Sequence, residues 1–414
     1  MLPVSSASGQ FTPFLDALFT SASAVTTTGL VVVDTGTFYN VFGQTVIMIL
    51  FQVGGLGYMI FVALAVLGFG KELSMSYRIL LRESINRPSK IELIRFVKLM
   101  LYFTLIIEGI GIVILTFYFL NFYSFGEAFF SAVFHSISAF TTAGFSIYGD
   151  SFMQFKNSLV LNGIIIGLII FGAAGFFVLY DIYVFVKPGA RSKRRLSTHT
   201  KLILALAILL NLTGIIIIFF SEGEKFASGF NERMITSVFQ SLSASTTAGF
   251  NSIDIGLLSV PSMFYIILLM FIGAGSGSTA GGIKLTTLAV ILFSLYSQLS
   301  IKKSISVFKR SITDETVKRA LAIALLTGMW AFIAVLLLTI TEKSDFIKIV
   351  FEVISALGTV GLSAGITAEL SSFAKILIII TMLIGRIGPL AIGLSVVKKE
   401  RVAIRYAEDE ILVG

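Results

Sequence analysis

The chain has 414 residues, 56% of them hydrophobic and 13% charged, at a mean hydropathy of +0.95. That much apolar surface exceeds what a soluble core of this length can bury, which excludes a soluble globular protein and puts the chain in a membrane. With no cysteine, disulfides, thiolate metal sites and a cysteine nucleophile are excluded too, and the net charge of +8 leaves a nucleic-acid partner to be tested against where the charges lie.

Of the 31 basic residues, 23 fall in four hydrophilic segments, 71–98, 187–201, 302–319 and 398–405. Lys156, Lys225, Arg233, Lys343, Lys348 and Lys375 lie in the segments between, and Lys284 and Arg386 stand inside apolar sequence. This alternation is the positive-inside pattern of a multi-pass protein with a cytoplasmic C-terminus, not a nucleic-acid surface.

In chain order, residues 1–13, with Pro3 and Pro13, are too few and too polar to cross a hydrocarbon core of about 30 Å. A short helix over 14–25 and a span over 41–67 follow. Residues 71–186 then give a span (96–120), a short helix (127–140) and a span (159–186); residues 187–298 repeat the order at 202–220, 231–245 and 263–295; and residues 299–414 at 320–340, 346–357 and 374–397, with a hydrophilic tail. The short helices have the length of re-entrant segments. The first unit, 1–70, lacks its opening span, and we expect a further span ahead of it, since an incomplete unit bares its re-entrant helix to lipid. Seven spans, starting outside and ending inside, agree with the charge alternation.

Each short helix carries the same pattern: Phe, three residues, Ser-Ala, two residues, Thr, one residue, Gly, then Phe or Leu. The copies are Phe19, Ser23, Ala24, Thr27, Gly29, Leu30; Phe134, Ser138, Ala139, Thr142, Gly144, Phe145; Phe239, Ser243, Ala244, Thr247, Gly249, Phe250; and Phe351, Ser355, Ala356, Thr359, Gly361, Leu362. Their glycines are 115, 105 and 112 residues apart. The fold expected is an all-α integral membrane protein, four pseudo-repeats of span, re-entrant pore helix, filter loop and span around one central pore.

Irregular backbone at membrane depth is tolerated only where it lines water or is enclosed by protein, so four such loops must converge on something polar. Pore helices entering from outside aim their partly negative C-termini at the membrane centre, which favours a cation, and loop carbonyls can replace its hydration shell. Glycine permits positive φ without a Cβ in the lumen, and the threonine two residues earlier offers a hydroxyl. Asp34, Asp150, Glu222, Glu224, Asp254, Glu342, Asp345 and Glu369 fall on the outer side, where they either concentrate cations or simply solvate the loops.

At these motifs the sequence resembles, over essentially its whole length, the ion-translocating subunit of the bacterial Ktr/Trk/HKT superfamily of potassium transporters, Ktr type. Thr26-Thr27-Thr28-Gly29, Thr141-Thr142-Ala143-Gly144, Thr246-Thr247-Ala248-Gly249 and Gly358-Thr359-Val360-Gly361 look like its four filters. In that family glycine at all four positions goes with potassium selectivity and serine in the first with sodium transport; the resemblance thus implies potassium. A sodium-preferring or poorly selective member is the alternative.

Two more segments carry the resemblance. The run 273–284, with Gly273, Gly275, Ser276, Gly277, Ser278, Thr279, Gly281, Gly282 and Lys284, interrupts the third unit's second span; in the family it is an intramembrane gate, and on its residues alone it is also compatible with a passive kink. Arg386, in Gly385-Arg386-Ile387-Gly388, matches an arginine below the family's filter; a guanidinium at this depth must face the pore or a partner, Glu108 or Asp181 being candidates for simple packing. The resemblance further implies a plasma-membrane homodimer on a ring of cytosolic nucleotide-binding subunits, docked by the basic loops and residues 405–414. No Rossmann glycine pattern occurs here, so ATP, ADP or NAD would act only through that partner; Na+ would enter only as a coupling or activating ion. His135 and His199 lack a second ligand at metal spacing and read as structural, and no acid pair or Ser/His set suggests an enzyme.

Overall fold

The computed structural model describes residues 2–69, 90–186, 195–223, 225, 229–300, 305–308 and 310–388. Glu224, most of the basic segments and the tail 405–414 lie outside the described residues. The helices follow the repeat. The first unit holds α1 (Phe14–Val25) and α2 (Val41–Phe69); the second α3 (Lys90–Phe119), α4 (Phe125–Phe140), α5 (Leu159–Ala174) and α6 (Phe176–Val186). The third holds α7 (Thr198–Glu222), α8 (Phe230–Ser245), α9 (Val260–Phe271) and α10 (Leu285–Leu299); the fourth α11 (Asp314–Thr341), α12 (Phe346–Gly358) and α13 (Ser372–Ile387).

The opening helices of units two to four, Val97–Phe119 within α3, α7 and α11, are long and apolar enough to cross a bilayer unaided. On α7 the outward side chains Ile208, Leu209, Leu212, Ile216 and Phe220 are exposed, as a lipid-facing surface should be. This is a multi-pass membrane protein.

The short helices α1, α4, α8 and α12 start up to two residues before the expected boundaries. At α4 the reason is a capping box: Ser124 precedes the first turn and Glu127, taken from sequence as the start, is its third residue, with Oε2 accepting from the Ser124 N–H at 3.2 Å.

The closing spans differ more. Sequence periodicity expects continuous helix through 159–186 and 374–397, but α5 and α6 meet at 100° across Gly175, at φ +92°, and α13 stops at Gly388, at φ +93°. A left-handed residue cannot continue a right-handed helix, so these glycines end it. Residues 389–397 lie outside the described residues. In the third unit the break expected at 273–284 is present: β1 (Ile272–Gly273) pairs parallel with β2 (Ile283–Lys284), which pins both ends of the intervening loop.

Packing closes the units into a ring. Buried Phe134 packs with Ile47 and Phe51 of the first unit, Phe239 with Leu161 and Ile165 of the second, Phe351 with Met263 and Ile266 of the third, and Phe19 with Leu377 and Ile378 of the fourth. The motif phenylalanine of each unit therefore fills the seam to the preceding one, cyclically. Lipid is as apolar as these side chains, so close packing rather than water exclusion holds the seams. An ion pair between Asp16 of α1 and Lys375 of α13, at 2.8 Å, also ties the first unit to the fourth.

The outer loops are stapled within units. Glu222 accepts from the Ser259 N–H (3.1 Å) and hydroxyl (2.6 Å), and Glu342 from the Ser371 hydroxyl (2.5 Å). Asp34 and Asp254 cap turns at Thr37 and Gly256. These four acids thus serve loop structure, which is the plainer of the two uses expected from sequence.

Candidate ion filter and intramembrane loop

The motif serine, fully buried in each unit, folds the loop that leaves each pore helix. Its carbonyl accepts the N–H five residues on: Thr28 to Ser23 (2.8 Å), Ala143 to Ser138 (2.8 Å), Ala248 to Ser243 (2.9 Å) and Val360 to Ser355 (2.8 Å). Its hydroxyl makes a second tie. Ser23 and Ser355 accept from the N–H of Gly29 and Gly361, both at 3.1 Å, whereas Ser138 and Ser243 donate to the carbonyls of Phe145 (2.7 Å) and Phe250 (2.6 Å). The motif alanine, with no exposure in any unit, leaves room for this turn and accepts the motif threonine's N–H.

Within the loop, Thr27, Thr142, Thr247 and Thr359 take left-handed φ of 52°, 52°, 56° and 49°, and the glycines φ of 88°, 69°, 77° and 95°. Alternating the hand of the backbone turns successive carbonyls toward one side, unlike a strand, where they alternate. A left-handed threonine costs about 1 kcal/mol or more, and here four copies bear it at one position.

The glycines show where those carbonyls go. A Cβ built on Gly29 would stand 2.5 Å from the Ala143 oxygen, and one on Gly144 2.8 Å from the Ala248 oxygen. On Gly249 it would meet the Val360 oxygen and on Gly361 the Thr28 oxygen, both closer still. Each glycine thus abuts the carbonyl before the next unit's glycine, and the fourth returns to the first. The four filter loops meet around one axis.

Hydroxyls of Thr26, Thr141 and Thr246 turn back to close the pore helices, bonding the carbonyls of Ala22 (2.7 Å), Ile137 (2.7 Å) and Leu242 (2.5 Å). Thr27 and Thr142 donate to the carbonyls of Thr26 and Thr141, each at 2.7 Å, which leaves their oxygens as acceptors. Thr359 Oγ1 is buried without a partner among the described residues, and Gly358 packs its Cα against the Met270 carbonyl.

The loop between β1 and β2 sits against this threonine end of the filter. Thr279 Oγ1 lies 3.2 Å from Thr142 Oγ1 and donates to the Phe140 carbonyl at 3.2 Å; the Gly281 N–H donates to Thr247 Oγ1 at 3.3 Å; and Gly281 leaves no space for a Cβ beside Thr359 Oγ1. Its flank rests in the bend of the second unit, where Gly275 N donates to Ala173 O and Phe176 N to Gly277 O, both at 3.1 Å. Gly277 and Gly282 have positive φ, Ser276 Oγ pairs with Thr286 at 2.5 Å, and Ser278 Oγ is buried without a partner among the described residues.

Two cations hold the crown of this loop. Arg386 donates to the carbonyls of Thr279 and of Gly54 in α2, and Lys284 to those of Ala280 (2.5 Å) and Gly281 (3.0 Å). The packing partners considered for Arg386 are engaged elsewhere: Glu108 accepts from Gln52 (3.0 Å), and Asp181 from the Thr200 hydroxyl (2.6 Å) and the Ser197 N–H (2.8 Å).

Sequence reasoning missed Gly54, Gly172 and Gly385. In each, a Cβ would collide with the last carbonyls of a pore helix, those of Val25, Phe140 and Leu357. Their signal was available: a glycine 24 to 28 residues after the filter glycine, inside apolar sequence, in every unit, Gly273 being the third unit's.

Over residues 2–402 the chain matches the family described as TrkH, cation transport protein. The chain belongs to the TrkH family. The Ktr system potassium uptake protein B of Bacillus subtilis (strain 168) is 42% identical over 418 residues, spanning 100% of this chain and 92% of that protein. The protein of the same description from Vibrio alginolyticus is 40% identical over 420 residues, at 100% and 90%. The crystal structure of the potassium transporter TrkH from Vibrio parahaemolyticus superposes with a TM-score of 0.72 at 21% identity, covering 93% of this chain and 79% of that one, and shares the fold. As a TrkH-family member the chain is a transporter rather than an enzyme; its candidate site is a ring of loop backbones with a further loop beside it.

Proposed function

We propose that this chain is the ion-conducting subunit of a bacterial potassium-uptake system and that dehydrated K+ passes between the carbonyls around Gly29, Gly144, Gly249 and Gly361. The closed ring of four loop backbones carries this reading, because a ring of carbonyl dipoles with no side chain in the lumen selects for a bare monovalent cation. Potassium rather than sodium is favoured by four glycines in the filter and by relatives whose descriptions name potassium uptake.

In this reading the loop 273–284 is the gate. It is held closed by Arg386, which places a positive charge below the filter, and by Lys284; opening requires both to release the loop's carbonyls. The repeats are bounded at 1–70, 71–186, 187–298 and 299–414. The protein works in the plasma membrane, its C-terminus in the cytoplasm, as a homodimer on a cytosolic nucleotide-binding ring that supplies any ATP, ADP or NAD dependence.

The test is complementation of a bacterium lacking potassium uptake, with potassium, rubidium and sodium fluxes compared. Growth at low potassium is expected from the native chain and not from Gly249→Ser. Sodium flux equal to potassium flux would replace this reading by that of a sodium-preferring or poorly selective transporter.

A further inference from the structure

The residue after the motif phenylalanine is polar in all four pore helices: Thr20, His135, Gln240 and Glu352, exposed by 3%, 0%, 0% and 0%. A buried carboxyl, imidazole or amide at membrane depth is costly unless it is bonded, so four at one helical position ask for a common purpose. Their partners lie in the segment that leaves the filter. His135 Nδ1 donates to the Ser131 carbonyl at 2.8 Å, which fixes Nε2 as the acceptor for the Ile147 N–H at 3.4 Å and sets it 3.1 Å from Ser146 Oγ. Tyr148 stacks on the imidazole at 4.8 Å.

In the fourth unit Glu352 accepts from the Thr367 hydroxyl, itself 2.8 Å from Ser363 Oγ. Ser146 and Ser363 are the same residue of the repeat, each two past its filter glycine. The first unit makes a weaker version, Tyr39 hydroxyl to Thr20 Oγ1 at 3.3 Å. In the third, both amide atoms of Gln240 and Ser252 Oγ have no partner among the described residues. By the cyclic order of the glycine contacts, units two and four face each other across the axis. The two units whose polar residue reaches the serine two past its filter glycine, directly in one and through Thr367 in the other, thus stand opposite one another.

Resting on the filter reading above, we propose that these are positioning residues which brace the far end of the filter, and that His135 and Glu352, in opposite units, set its ion preference. The segments they hold, 145–147 and 362–364, are neither helix nor strand, so side-chain bonds fix where their carbonyls lie.

The experiment measures rubidium and sodium uptake, with KM for each, in whole potassium-uptake-deficient cells, alongside the amount of protein in the membrane. Glu352→Ala and His135→Ala are expected to lower rubidium-over-sodium preference about tenfold, as for loss of one strong hydrogen bond that steadies one ion better than the other. Glu352→Gln, which keeps the acceptor, and Gln240→Leu should stay within about twofold of the native value. Thr367→Val and Ser146→Ala remove the partners without touching the pore helices; they should shift preference in the same direction, and they decide the matter if the alanine variants do not reach the membrane. Variants present at native amounts with unchanged preference and KM overturn the proposal, reducing these residues to packing. Gly249→Ser runs beside them: if it too leaves preference unchanged, the filter reading fails, whereas if it alone shifts preference, only the brace is refuted.

Discussion

The four filter loops and the loop between β1 and β2 are both irregular backbone at membrane depth, yet they are held in opposite ways. Each filter loop is fixed by its own pore helix through the same serine and alanine bonds, made four times over, and by a neighbour's carbonyl against its glycine. The other loop has one copy, and its ties run to three other units: Thr142 and the α5–α6 bend in the second, Thr359 and Arg386 in the fourth, and Gly54 in the first through that arginine. Under the proposed function, local, repeated bonding suits a part that keeps its shape whenever an ion passes. Bonds to distant elements suit a part that moves when those elements do.

Breaking the repeated region should be the more damaging. Gly361→Ala sets a Cβ into the Thr28 carbonyl at a φ that disfavours it, so potassium uptake should fall about a hundredfold or more, measured as low-potassium growth and rubidium flux. Breaking the single-copy region should act in the other direction: Arg386→Gln, by freeing the Thr279 and Gly54 carbonyls, should raise flux about tenfold, the worth of one charge-assisted hydrogen bond, with ion preference kept. Lower flux in that variant at native protein amounts would speak against a closing role.

The seam tests whether the ring depends on its last joint. Lys375→Met leaves Asp16 without its partner, both side chains being less than one-fifth exposed, and should cost about 2 kcal/mol, read as a lower melting temperature of the detergent-solubilised protein. The smallest effect is expected from the serine ties. Ser355→Ala orphans the Gly361 N–H and Ser138→Ala the Phe145 carbonyl; a buried N–H is the costlier group to leave unpaired, so the first should cost about 1 kcal/mol and the second less. Equal losses would mean that the two serine geometries are interchangeable.

Much of this was legible in the sequence because repetition substitutes for an alignment. Four copies of one pattern mark the four loop glycines that meet on one axis, the short helices to within two residues and the ring as a fold. What escaped lacked a periodic signal. The stops at Gly175 and Gly388 depend on positive φ, which glycine permits but does not announce, since Gly109 and Gly163 lie within helices. Gly54 and Gly385 matter through carbonyls of another helix, a contact that no window of local sequence contains. His135, taken alone, read as a buried structural histidine; only beside Thr20, Gln240 and Glu352 does its place in the repeat become a pattern.

The most direct measurement is an anomalous difference map of the protein crystallised with thallium in place of potassium. A peak on the axis among the carbonyl oxygens of Thr28, Ala143, Ala248 and Val360 is the predicted result. Thallium bound only elsewhere, or four loops standing apart around no common ion, would contradict the account.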